Sequence, residues 1–217
     1  MHHLSPSIWF PNPEEADKEG LLAIGGDLSV KRLMHAYCSG IFPWFEDDQP
    51  ILWWSPDPRM VLFLDSFKVS KSFQKTIQKN KFTITFNTCF EEVIKNCSQI
   101  KRKGQQGTWI TSQMQDAYLK LHENGHATSV EVWLDGTLVG GLYGIDLIDK
   151  KVFCGESMFS KVSDASKVAF YYLVEQLKTK NYQLIDCQMY TPHLERLGAT
   201  EIPREKFLQY LRQKNDN

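Results

Sequence analysis

Residues 152–160 read Val-Phe-Cys-Gly-Glu-Ser-Met-Phe-Ser, an apolar, strand-like run interrupted by a single carboxylate, Glu156. Alternate side chains of a strand face opposite ways, so Cys154, Glu156 and Met158 are expected on one face and Phe153, Ser157 and Phe159 on the other. A carboxylate between apolar neighbours is costly to bury unless something hydrogen-bonds it or uses it, which marks Glu156 for chemistry. Residues 163–180 then carry Ala165, Val168, Ala169, Tyr172, Leu173 and Leu177 at helical spacing, and a second strand follows over 183–189. Strand, helix, strand predicts a right-handed crossover between parallel strands. On the second strand, alternation puts Asp186 and Gln188 beside Leu184 on one face and Ile185, Cys187 and Met189 on the other. Such a unit can gather Glu156, Asp186 and Gln188 around one cleft near the strands' carboxyl ends, where open α/β sheets bind ligands.

The rest of the chain sets the bounds. Its 217 residues, net charge of −1, 42% hydrophobic and 24% charged content are globular values and suffice for a sizeable core. No apolar run is long enough to span a membrane and residues 1–10 carry no signal-peptide pattern, so a cytoplasmic protein is expected. The cysteines at 38, 89, 97, 154 and 187 form no C-x-x-C pair and are expected as reduced core residues. The scattered histidines lack ligand spacing, so no metal is expected.

Towards the N-terminus, residues 20–27 read as a short strand entering a glycine turn, and Ser29 can cap a helix carrying Val30, Leu33, Ala36 and Tyr37 that stops at Gly40. Gly25-Gly26 fits no phosphate-loop pattern and reads as a plain turn. Three tryptophans fall at 44, 53 and 54 among prolines that are expected to exclude regular structure. They pack a small subdomain, or offer a stacking face to a base. From residue 59 to 103 ten Lys or Arg stand against three acids. Within that stretch a helix over 70–80 sets Lys71, Lys75 and Lys79 on one ridge, opposite Phe73 and Ile77. The ridge is a solvated face or, with Lys81 and the Lys101-Arg102-Lys103 run, a polyanion-binding one.

Further on come a strand at 82–86, a helix after a Thr88/Glu91 capping box, a helix from Ser112 with Met114, Ala117, Tyr118 and Leu121 on one face, and two strands joined by an Asp135-Gly136 hairpin turn. Gly140, Gly141 and Gly144 in the second of these strands suggest a bulge, or a backbone that another molecule approaches closely. A short helix over 192–198 and a last one after Pro203 end the chain.

This element order is similar to that of GNAT acyltransferases, although the coenzyme A loop of that fold would fall on 160–166, which has no glycine and bears an acid. The wording of the sequence goes further. GLLAIGGDLS (20–29), YCSGIFPW (37–44), WWSPDPR (53–59), GTWI (107–110), SVEVW (129–133), CGESMFS (154–160), ASK (165–167) and LIDCQ (184–188) closely resemble the leucyl/phenylalanyl-tRNA protein transferase family over nearly the whole chain. The resemblance implies an α+β protein: a small N-terminal domain (1–60), then a GNAT-like acyltransferase domain with a mixed central sheet (61–217). It implies transfer of Leu or Phe, less readily Met, from leucyl-tRNA or phenylalanyl-tRNA to proteins with N-terminal Arg or Lys, marking them for N-end rule degradation, with no cofactor, no membrane and a monomeric enzyme.

By position, the resemblance assigns catalysis to Asp186 and Gln188 with Glu156 beside them, and the terminal adenosine of the tRNA to Trp44 and Trp109. The donor side-chain pocket falls on Leu142, Phe153, Met158, Phe170, Leu173 and Ile185. The Lys71, Lys75 and Lys79 ridge completes the expected tRNA contacts. Two other classes stay open on the residues alone, a coenzyme A-dependent N-acyltransferase and a non-catalytic RNA-binding protein.

Overall fold

The hydrophobic periods of the chain resolve, in a computed structural model that describes residues 2–100 and 108–212, into strands and helices in this order. The first part holds β1 (His2–Leu4), β2 (Leu21–Gly25), α1 (Val30–Cys38), β3 (Phe42–Pro43) and β4 (Leu52–Trp54). Then follow β5 (Arg59–Phe63), α2 (Lys71–Gln78), β6 (Thr83–Phe86), α3 (Phe90–Ser98), α4 (Ser112–Glu123), β7 (Ala127–Leu134) and β8 (Thr137–Leu147). The last part holds β9 (Val152–Ser160), α5 (Ala165–Thr179), β10 (Leu184–Gln188), α6 (Pro192–Arg196), β11 (Thr200–Ile202) and α7 (Arg204–Arg212).

Two sheets form. A small one has the order β1-β2-β4-β3, and a seven-stranded one has the order β11-β5-β10-β9-β8-β7-β6. In the large sheet β9 and β10 run parallel while the other neighbours are antiparallel, so the α+β expectation with a mixed central sheet is met. The crossover through α5 joins the parallel pair, as strand, helix, strand requires. One face of the sheet packs α5 through Val168, Ala169, Leu173 and Val174. The other face shares a continuous core with α1, α3, α4 and α7, through Leu33, Val93, Tyr118 and Phe207 among others.

Local expectations fare unevenly. Ser29, Ser70 and Thr191 cap α1, α2 and α6 with their side chains, and Asp135-Gly136 turns the β7–β8 hairpin with both residues at positive φ (49° and 74°). The capping box at Thr88 does not form. The Thr88 hydroxyl instead donates to the Phe86 carbonyl, and α3 begins after Cys89 with no side-chain cap. The proline-rich stretch does hold regular structure: Pro43 lies in β3, an edge strand, where its missing N–H is not needed by an outer neighbour. Cys38 is exposed and Cys89 half-buried, against the expected burial, while Cys97, Cys154 and Cys187 are buried as free thiols. The glycines of β8 are approached by the protein itself. A Cβ on Gly144 would lie 2.2 Å from the Cys154 carbonyl oxygen and one on Gly140 2.5 Å from Ala165 Cβ.

Candidate functional site

The parallel pairing of β9 with β10 runs from Leu184↔Val152 to Asp186↔Cys154 and stops there. Beyond that level both strands bulge. On β9, Gly144 pairs with Gly155 and its neighbour Tyr143 with Ser157, which leaves Glu156 as an extra residue. On β10, Asp186 pairs with Val61 and Gln188 with Met60, which leaves Cys187 as the extra one, and Gln188 takes φ 56°. Between the diverging strand ends opens a cavity of about 630 Å³.

The bulges change which side chains share a face. Strict alternation would separate Phe153 from Met158, an odd and an even position. The inserted Glu156 shifts the parity, and both line the cavity with Leu142, Phe170, Leu173 and Ile185. The expected grouping of Cys154 with Met158 is therefore corrected: Cys154 packs in the core on the far side of the sheet. The shared face of Asp186 and Gln188 is corrected for the same reason. Gln188 reaches the cavity wall, whereas Asp186 is 1% exposed and points into the opposite core.

There Asp186 meets Arg59 of β5. The guanidinium donates from Nε to Oδ1 and from Nη2 to Oδ2, each at 2.8 Å, and from Nη1 to the Gly40 carbonyl at 3.0 Å. Phe42 and Phe207 flank it at 4.9 and 4.6 Å. This two-pronged pairing fixes the charge of both groups in place. Asp186 Oδ1 also accepts the backbone N–H of Gln188 at 3.1 Å, and so supports the left-handed turn that aims Gln188 at the cavity.

Glu156 is held differently. The Tyr37 hydroxyl of α1 donates to Oε1 and the Tyr118 hydroxyl of α4 to Oε2, both at 2.9 Å, and the two hydroxyls contact each other. Gln188 Nε2 stands 3.5 Å from Oε1 on the cavity side. Burial pushes the carboxyl up to about 7, opposed by the two phenol hydrogen bonds. Burial likewise drives both phenols well above their usual range, with the Glu156 charge adding to it.

Trp44 and Trp109 line the cavity with Met189 and Tyr190. Trp44, Met189 and Tyr190 are exposed, and the ring of Trp54 lies 5.7 Å from that of Trp44. Trp53 is a core residue whose indole N–H donates to the Gly25 carbonyl, as the packing account has it. Lys71, Lys75 and Lys79 are all exposed on or at the end of α2, which packs through Phe73 on Tyr171 of α5. The Lys101-Arg102-Lys103 run and the 104–107 loop lie outside the described residues. Among the described residues no group of three His, Cys, Asp or Glu is arranged to hold a metal, and no helix is long and apolar enough to cross a membrane.

Sequence reasoning missed Arg59, Tyr37 and Tyr118 as site residues. Arg59 opens β5, a strand the sequence did not announce. The tyrosines carried a usable signal, since a phenol on the apolar face of a helix needs a polar partner once buried.

The arrangement is an apolar chamber with an amide and a carboxyl at its wall, open past two indoles, so it suits a reacting group attached to an apolar side chain. Comparison with known proteins agrees. The model of the leucyl/phenylalanyl-tRNA protein transferase family matches residues 61–212, and that of its N-terminal domain matches residues 26–57. Relatives named leucyl/phenylalanyl-tRNA–protein transferase include those of Flavobacterium psychrophilum, 58% identical over 98% of this chain and 100% of that protein, and Flavobacterium johnsoniae, 59% identical over 99% and 100%. That of Nitrosospira multiformis is 57% identical over 97% of this chain and 90% of its own. Among solved structures FemX superposes with a TM-score of 0.48 at 13% identity, covering 84% of this chain and 71% of that one, too loose a likeness to add to the assignment. On the family models and the near-complete relatives together, this chain belongs to the leucyl/phenylalanyl-tRNA protein transferase family.

Proposed function

We infer that the protein moves Leu or Phe, and less readily Met, from aminoacyl-tRNA to the α-amine of proteins beginning with Arg or Lys, marking them for degradation. The observation that carries this reading, beside the family, is the chamber itself. Six apolar side chains bound a space for the donor's side chain, Glu156 and Gln188 stand at its wall, and Trp44 and Trp109 flank it as faces on which a terminal adenine can stack.

The reaction is aminolysis of an activated ester. The acceptor amine has a reference pKa of about 7.7 to 8.0, so a useful neutral fraction exists near pH 7 and positioning supplies much of the acceleration. The Gln188 side-chain oxygen accepts a hydrogen bond from the attacking amine and orients it as the C–N bond forms. Asp186, locked by Arg59, acts through the Gln188 backbone and serves as a positioning residue. The Lys71, Lys75 and Lys79 ridge meets tRNA phosphates without reading sequence. Residues 1–60 and 61–217 serve as the two domains of a monomer that works in the cytoplasm, where charged tRNA is found.

A coenzyme A-dependent reading is disfavoured at the start of α5, where its pyrophosphate would bind. Asp164 sits at the N-cap position with φ 66° and no side-chain cap bond, and its carboxylate instead takes Lys167 at 2.9 Å. Incubation with leucyl-tRNA and an Arg-initiated peptide should yield the peptide longer by one Leu. No product from charged tRNA at any acceptor concentration would overturn the reading.

A further inference from the structure

The hydroxyls of Tyr37 and Tyr118 and the carboxyl of Glu156 each contact the other two. Tyr37 is 1% exposed and Tyr118 0%, so solvent does not complete the set from the tyrosine side. Three mutual contacts need three hydrogens, and the two phenols bring only two. With Glu156 ionised, both phenol hydrogens go to its oxygens and the phenol oxygens face each other with nothing between them. With Glu156 protonated, the ring closes, each group donating once and accepting from its neighbour.

We propose that this ring is a seat for one proton, which Glu156 takes from the acceptor's α-ammonium before the peptide bond forms, with Tyr37 and Tyr118 as the positioning residues that hold the seat. The proposal rests on the aminoacyl-transfer reading of the site. The steps balance. The ammonium and the Glu156 carboxylate give a neutral amine and a carboxylic acid. The amine attacks the ester carbonyl, the C–N bond forms, the bond to the ribose oxygen breaks, and that oxygen takes the amine's second proton. Glu156 then returns its proton to solvent through the cavity.

The surroundings fit the exchange. Burial brings the carboxyl to about 7, close to the reference α-amine at about 7.7 to 8.0, so the proton crosses with little free-energy change. Arg59 favours the carboxylate and Asp186 opposes it, and the two cancel in part because they form one ion pair. The thiol of Cys154 behind the ring is kept neutral by burial, and Gln188 offers a neutral amide donor. His193 on the cavity wall is pushed down by burial, and so brings no competing charge near pH 7.

The test is the pH dependence of single-turnover transfer in wild type, Tyr37→Phe, Tyr118→Phe and Glu156→Gln at subsaturating acceptor peptide. The wild-type rate should rise through two ionisations, that of the peptide amine and one near 7. Glu156→Gln should lower the rate at least tenfold and keep only the amine's limb. Each Tyr→Phe variant removes a donor to the carboxylate and should move the lower limb to higher pH. Unmoved limbs in both Phe variants would reduce the tyrosines to packing, and a retained lower limb in Glu156→Gln would remove the carboxyl from the proton's path. A second measurement needs no substrate. Gln mimics the closed ring, so the unfolding midpoint of wild type should fall relative to Glu156→Gln between about pH 4.5 and 7. Parallel curves would overturn the ring whether or not the protein transfers Leu, whereas a pH-dependent gap without transfer would strike the aminoacyl-transfer reading alone.

Discussion

Two carboxylates on neighbouring strands are buried in opposite ways. Asp186 faces a guanidinium that meets both of its oxygens, while Glu156 faces two phenols and an amide. Both are hydrogen-bonded, so neither is an orphan in the core. The partner of Asp186 carries a full charge that never leaves, because Arg is not deprotonated in proteins. The partners of Glu156 are neutral, so its own charge depends on pH and on what enters the cavity. The same residue class is thus a fixed strut at one position and a titrating group at the other. Backbone geometry sorts them: Asp186 lies before the bulge at Cys187 and alternates away from the cavity-lining Ile185, whereas the bulge at Glu156 leaves that carboxyl at the cavity wall.

The contrast is sharpest when the charged partner of Asp186 is removed. Arg59→Met should leave an unpaired buried carboxylate and cost about 3 to 5 kcal/mol of stability in denaturant unfolding. A loss under about 1 kcal/mol would mean that Asp186 does not need its fixed countercharge, and the distinction from Glu156 would fail.

The acid held by phenols should show itself as pH dependence. Its folded value of about 7 lies above the ordinary 4.5. The folded state therefore binds this proton more tightly than the unfolded chain. The stabilisation is fully present below about pH 4.5 and is lost as pH rises through about 7, amounting to up to about 3 kcal/mol. Thermal unfolding between pH 4 and 8 reads it against the background of other groups through the difference from Glu156→Gln. Arg59→Met should retain that difference, because the ring does not require the ion pair.

The bulge that aims Glu156 depends on Gly144, whose position has no room for a methyl group against the Cys154 carbonyl oxygen, 2.2 Å from a built Cβ. Gly144→Ala should cost about 1 to 3 kcal/mol by overpacking. It should also shift the lower pH limb of transfer, since moving β9 moves Glu156 relative to Tyr37 and Tyr118. An unshifted limb in a destabilised Gly144→Ala protein would uncouple the bulge from the proton seat.

The exposed charges close the comparison at its small end. Replacing Lys71, Lys75 and Lys79 together by Gln should change stability by less than about 0.5 kcal/mol per site, because they lie on a solvated face. Each lost phosphate contact should nevertheless flatten the salt dependence of tRNA binding by about 0.7 to 0.9 in log–log slope. An unchanged slope would return the ridge to a plain solvated face.

Much of this was legible in residue order because it is local. The period of 163–180 and the two flanking strands specified the crossover, Ser29 specified a cap, and Asp135-Gly136 specified a hairpin, each through the conformational preferences of a few adjacent residues. The oddity of one carboxylate in an apolar strand singled out Glu156, and family wording named the residues that line the chamber. Tertiary structure alone decided where the acids point. A bulge is set by pairing between distant segments, here β8 with β9 and β5 with β10, and one inserted residue reverses the face of every side chain beyond it. Arg59 reaches Asp186 across 127 positions, Tyr37 reaches Glu156 across 119, and Tyr118 reaches it across 38. Whether a buried carboxylate is a strut or a proton seat depends on those partners, and no local pattern encodes a partner that only folding brings within 3 Å.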